Sequence, residues 1–231
     1  MKSLTFPNQN TLILLNKGGS SLIGWMIKLY CDWKGIPIKH NHIGNQKVVL
    51  VARNPLDRYI SGFLHRHLIT NLQLWEGNEG MIPHLEKWVD QNPQIESGEE
   101  VDYHIWRASS ILRREGIQPH TILKIEEWER ETEKWASIRK GAREPIWDIP
   151  QPPSIPTPPP LLSEIGIECE GWDGVMWAGL YRLSAQNMEG HHRRDKTEGL
   201  IRELRKHPIL LNRIKDWVSE DYTLWGYQKL I

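Results

Sequence analysis

Thr11 to Tyr30, TLILLNKGGSSLIGWMIKLY, reads as a buried strand, a short glycine-containing loop and then a helix. Leu12, Ile13, Leu14 and Leu15 are continuously apolar, as a parallel strand covered on both faces must be, and Gly18 and Gly19 end that run. From Ser21 the apolar period changes to that of a helix. Leu22, Met26, Leu29 and Trp33 fall at i, i+4, i+7 and i+11, a stripe able to pack back on the strand. Glycines let backbone approach a ligand, and the free N–H groups at a helix start, here near Ser20 and Ser21, favour an anion. With Lys17 beside them, the stretch has the chemistry of a phosphate or sulfate cradle.

A second strand and helix come next. Lys47 to Ala52, KVVLVA, predicts a neighbouring parallel strand. It runs into Arg53-Asn-Pro-Leu-Asp-Arg-Tyr-Ile-Ser61, where Asn54 is a candidate N-cap and Pro55 suits the first helical position. Leu56, Ile60, Phe63 and Leu64 supply the buried face, with Arg53 at the strand end and Ser61 about two turns along.

The nucleoside-triphosphate loop places its lysine after the glycines, whereas Lys17 precedes them here. A strand followed by K-x-G-[ST]-[ST] resembles instead the 5′-phosphosulfate loop of sulfotransferases that use 3′-phosphoadenosine 5′-phosphosulfate (PAPS). VVLVARNPLDRYISGF resembles the 3′-phosphate motif of the same family, an apolar strand followed by R-[DN]-P and a serine eight residues after the arginine. The resemblance implies an α/β, P-loop-like, three-layer fold with a central, mainly parallel sheet flanked by helices. It also implies that Lys17, Gly18, Gly19, Ser20, Ser21 and Leu22 hold the donor's 5′ end, and that Arg53 and Ser61 hold its 3′-phosphate. Arginine offers a planar fork to phosphate oxygens, so the residue type suits the task.

The 231 residues suit one domain, 1–231, with 29 basic and 29 acidic side chains. That balance argues against broad coating of nucleic acid. Cys31 and Cys169 are too few for a disulfide scaffold or a cysteine zinc site and read as ordinary thiols. The opening MKSLTFPNQNTLILLNKGG shows neither a signal peptide nor a membrane span, so a cytoplasmic location is expected. Most of the twelve tryptophans are expected in core and interface packing.

Further along, helices are predicted around His84–Val89 and His104–Arg114, and TILKI, 121–125, as a third apolar strand. Glu126-Glu127-Trp128 after it resembles the acidic turn of carbohydrate sulfotransferases; His104-Ile-Trp106 departs by one inserted residue from the histidine-tryptophan element that precedes that turn in the family, and an acceptor contact is what the resemblance implies for it. Residues 145–160 hold eight of the fifteen prolines and read as an extended linker or flap that divides the α/β core from the remaining C-terminal residues. Glu189 to Lys196, EGHHRRDK, is a basic loop before a helix from about Thr197. By the resemblance, Arg193, Arg194 and Lys196 close over the 3′-phosphate, with a solvated surface loop as the plainer reading. The last segment, Pro208 to Tyr227, predicts a helix ending SEDYTLWGY, similar to the D-[FY]-x-x-[FLW]-G-Y tail of the membrane-associated carbohydrate members.

Sulfuryl transfer needs in-line positioning, charge stabilisation and a base for the acceptor hydroxyl. KHNHIG, 39–44, resembles the H-x-H element of uronyl 2-O-sulfotransferases. His42 is therefore the candidate base and His40 its support, with Lys17 on the leaving phosphate. In extended chain His40 and His42 point to one side. A structural role or a metal pair are the alternatives for these histidines, and a carboxylate or His104 the alternatives for the base. The expected protein is a metal-independent sulfotransferase acting on a hydroxyl, with a carbohydrate as first candidate acceptor and adenosine 3′,5′-bisphosphate as product. A kinase-like phosphotransferase and a non-catalytic nucleotide- or sugar-binding protein are the other readings.

Overall fold

A computed structural model describes residues 1–16, 20–70, 75–96, 106–126, 160–167 and 192–228. They form an α/β structure with a five-stranded sheet in the order β3-β1-β2-β4-β5, built from β1 (Lys2–Thr5), β2 (Thr11–Leu14), β3 (Lys39–His40), β4 (Val48–Ala52) and β5 (Thr121–Lys124). β2, β4 and β5 are parallel, Leu14 facing Val51 and Ala52 facing Lys124. β1 is antiparallel to β2, and β3 is antiparallel to β1. β2 and β4 are buried along their whole length, which is why each is continuously apolar after Thr11.

The chain falls into two compact units, each assembled from separate stretches. The first comprises Met1–Leu14, Gly18–Ala52 and Pro119–Glu189; the second comprises Leu15–Lys17, Arg53–Gln118 and Gly190–Ile231. Of the proline-rich stretch, 145–159 lies outside the described residues.

In the first unit, α1 (Ser20–Lys34) buries Ile23, Met26, Ile27, Tyr30 and Cys31 against Leu12, Leu14, Val49 and Val51. This i, i+3, i+4, i+7, i+8 stripe is rotated from the expected one: Leu29 is half-buried and Trp33 is 49% exposed. The face is chosen by how closely the helix approaches the sheet. A Cβ on Gly24 would stand 3.2 Å from Leu14 Cδ1, so glycine lets α1 settle on β2. Burial beside Asp32 pushes the Cys31 thiol up to about 12, which keeps it protonated and inert. α5 (Pro160–Glu164) adds Leu161, Leu162 and Ile165 to the same core, and Lys47 and Glu164 form an ion pair. That partner holds the Glu164 carboxyl below the usual carboxylate range.

The turn between β3 and β4 is fixed by two buried threonines. Thr5 Oγ1 donates to the His42 carbonyl at 2.6 Å, so Thr11 Oγ1 is the donor in the 3.0 Å bond between the two hydroxyls. Thr11 Oγ1 also accepts from the Gly44 N–H at 2.8 Å. A Cβ on Gly44 would overlap the carbonyl oxygen of Gln9. Gly44→Ala is thus expected to cost about 1–3 kcal/mol, read as a lower denaturation midpoint with an unchanged m-value.

In the second unit, α2 (Pro55–Thr70), α3 (Gly77–Glu96), α6 (His192–Leu204), α7 (Pro208–Trp217) and α8 (Ser219–Leu224) share a core. Leu56, Tyr59, Ile60, Phe63 and Leu64 of α2 meet Met81, Leu85, Leu200, Leu204, Ile214 and Tyr222 in it. α4 (Ala108–Arg114) belongs to this unit too. The single helix expected from Pro208 to Tyr227 is two helices with a turn at Val218. The basic loop expected over 189–196 is helical from His192 onward. Among the described residues no helix is long and apolar enough to cross a membrane.

Candidate functional site

The register sets the carboxyl ends of β2, β4 and β5 at one edge of the sheet. From β2 the chain continues into the glycine stretch and α1, from β4 into Arg53, and from β5 into Glu126. In α/β sheets ligands bind outside these ends. Lys17, Gly18 and Gly19 lie outside the described residues, as do the side chains of Ser20, Ser21 and Leu22. The helix after them is present as expected, opening at Ser20.

The second junction is described in atomic detail. Arg53 is the first residue after β4 and is partly exposed. Asn54 caps α2, its Oδ1 accepting from the N–H groups of Leu56 at 3.0 Å and Asp57 at 3.4 Å, and Pro55 opens the helix. Ser61, two turns along, is partly exposed. Between them Arg58 is 3% exposed and donates from Nη1 to the Trp106 carbonyl at 2.7 Å, so it braces the helix from inside.

A group that the sequence pattern suggests only as a tail motif supports this junction. Tyr222 is 1% exposed, and its Oη donates to Asn54 Oδ1 at 3.2 Å. Burial pushes its hydroxyl up to about 12, so it remains a hydrogen-bond donor at neutral pH. The two carboxyl oxygens of Asp221 accept from the backbone N–H groups of Ala108, at 2.9 Å, and Ser109, at 2.8 Å. The N-cap residue of α4, Arg107, makes no side-chain cap of its own, so Asp221 caps that helix from 113 residues away. Gly226, at φ +62°, ends α8: its N–H reaches the Thr223 carbonyl and the Tyr227 N–H reaches that of Tyr222. Glu220 pairs with Arg107 and Arg113, and Arg107 lies 4.5 Å from the Trp217 ring centre.

His40 ends the short strand β3, and His42 lies in the turn that follows it. Lys39 stands level with Thr5, and Thr5 with Thr11, the first residue of β2. The His42 carbonyl is bonded to Thr5 itself. His40 stands level with Leu4 and so with Leu12, the second residue of β2, while the bond to Thr5 places the backbone of His42 near the level of Thr11. The expectation that the two side chains share one side fails, because Asn41 turns at φ +53° and interrupts the extended run.

Of the other candidates, Arg193 and Arg194 stand in the first turn of α6, their side chains outside the described residues. Lys196 Nζ lies 4.8 Å from the Trp75 ring centre. His104 lies outside the described residues, and Trp106 is buried. Glu126, partly buried, is the second residue beyond β5, after the buried Ile125. Among the described residues no group of three or more His, Cys, Asp or Glu side chains is arranged to hold a metal ion. Compared with protein-family models, curated proteins and solved structures, the chain matches none of them.

Proposed function

We propose that this protein is a PAPS-dependent sulfotransferase of P-loop-like fold acting on a hydroxyl acceptor, with a carbohydrate as the first class to test. The observation that carries the reading is the strand-to-helix junction at 48–61. A buried parallel strand ends at Arg53, a capped N-terminus comes next at Asn54-Pro55, and Ser61 is partly exposed on the same helix. β2 ends at the same sheet edge, and the sequence between it and α1 includes Lys17.

On this reading Arg53 and Ser61 bind the donor's 3′-phosphate, and Ser20, Ser21 and the neighbouring amides hold its 5′-phosphate. Lys17 neutralises charge on the bridging oxygen as the sulfur–oxygen bond to phosphate breaks. The acceptor oxygen forms the new bond to sulfur and gives its proton to a base. The backbone of His42 is held by Thr5, level with the first residue of β2, so we assign the step to a carboxylate. That carboxylate is Glu126, at the carboxyl end of β5.

Calorimetric titration with adenosine 3′,5′-bisphosphate, with and without chelator and against ATP, tests the binding half. Micromolar binding that survives chelation is expected; preference for ATP with magnesium would favour a phosphotransferase. Labelled PAPS with a panel of glycans tests transfer, and nucleotide binding without transfer to any acceptor would favour a binding protein. In the active assay, Glu126→Gln is expected to lower turnover about tenfold or more at unchanged nucleotide affinity, and His42→Ala to leave it within about twofold.

A further inference from the structure

We propose that Tyr222 is a positioning residue for the anion-binding junction, acting through Asn54 to hold Arg53. This inference rests on the reading of Arg53 as the 3′-phosphate ligand. Asn54 is bonded directly to Arg53, so the backbone that aims the guanidinium is the backbone that the cap fixes. A cap on an exposed helix start is ordinarily completed by its own side chain and water. Here the cap oxygen is itself held by a hydroxyl 168 residues away, on a side chain buried in the core.

The tie belongs to a closed circuit within the second unit. Arg58 joins α2 to the Trp106 carbonyl, and Ala108 and Ser109, just beyond, donate to Asp221. Tyr222 is the next residue, and its hydroxyl returns the circuit to Asn54. α2 is thus held at positions 54 and 58, about one helical turn apart, by elements that are tied to each other. Two such points restrain both the location of the helix start and its roll about the axis. A fork that must meet phosphate oxygens in two bonds at once needs both restrained. The Tyr227 ring meets the Tyr222 ring edge-on, centres 6.5 Å apart and planes at 86°, and so steadies the tyrosine that makes the tie.

The test is Tyr222→Phe in the full chain, which keeps the buried ring and removes only the hydroxyl. Amide hydrogen exchange at Leu56 and Asp57 is expected to quicken about two- to tenfold while core amides of α2 are unchanged. Affinity for adenosine 3′,5′-bisphosphate is expected to fall by a similar factor. Asn54→Ala should cause the same loss, and Tyr222→Phe should add nothing on that background. Unchanged exchange at Leu56 and Asp57, or additive losses in the double variant, would overturn the inference. So would full affinity in Tyr222→Phe when Arg53→Ala binds weakly. If Arg53→Ala binds as tightly as the parent, the 3′-phosphate reading itself falls, and the inference with it.

Discussion

Arg53→Ala is expected to weaken adenosine 3′,5′-bisphosphate about 30- to 150-fold while leaving the melting temperature within a few degrees. Removing a charge-assisted hydrogen-bond donor from a phosphate forfeits about 2–3 kcal/mol, and each 1.4 kcal/mol is tenfold in affinity. Arg53 is partly exposed and sits just past β4, so its side chain is not core packing and its loss leaves no large cavity. The comparison with adenosine 5′-monophosphate separates this role from general electrostatics. That ligand lacks the 3′-phosphate, so its affinity should be the same in parent and variant. Arg53→Lys should recover only part of the loss, because an ammonium is a point charge and cannot offer two parallel donors. An equal loss for both nucleotides would move Arg53 out of the 3′ site.

Asp221→Ala should have the largest effect on stability, about 2–4 kcal/mol. Its carboxyl group is buried, the residue being 1% exposed, and serves two backbone donors at the start of α4. Removing it strands those donors in the interior, where each unmade bond costs about 1–3 kcal/mol. For a chain of this size the melting temperature should drop by about 5–15 °C. Asp221→Asn keeps one acceptor oxygen but turns an N–H₂ group toward the other donor, so it should fall between the two. A loss below about 1 kcal/mol in urea titration of Asp221→Ala would mean that water completes the cap just as well.

How much of the fold is legible in advance depends on where each signal resides. β2 and β4 can be read because strands buried within a sheet are continuously apolar, and LILL and VVLV are; β5, a half-buried edge strand, shows itself by the β-branched and apolar run TILKI. KSLT gives no such sign. Ser3 and Thr5 of β1 are buried polar residues, and Thr5 is held inside by bonds to Thr11 and His42 that only the folded chain brings within reach. The face of α1 differs by about one residue from the expected one because Leu22, Met26, Leu29 and Trp33 also make a helical stripe. What settles the choice is Gly24 against Leu14, a contact between elements.

The candidate site divides the same way. Arg53, Asn54, Pro55 and Ser61 are local to one junction, and their spacing alone predicts the cap that is found. His42 stands out through a two-residue spacing that presumes extended chain, which Asn41 breaks. Asp221 and Tyr222 are visible only as part of a tail motif, since their partners at 54, 108 and 109 are more than a hundred residues away.

β1 shields two neighbours at once. It covers the free side of β2 and is the sole bonded partner of β3 among the described residues. Without Lys2–Thr5, β2 would present an apolar row of unpaired amides and carbonyls, a template for another copy of the chain. A fusion or truncation that disturbs those four residues therefore invites aggregation, even though no ligand-binding role is assigned to any of them.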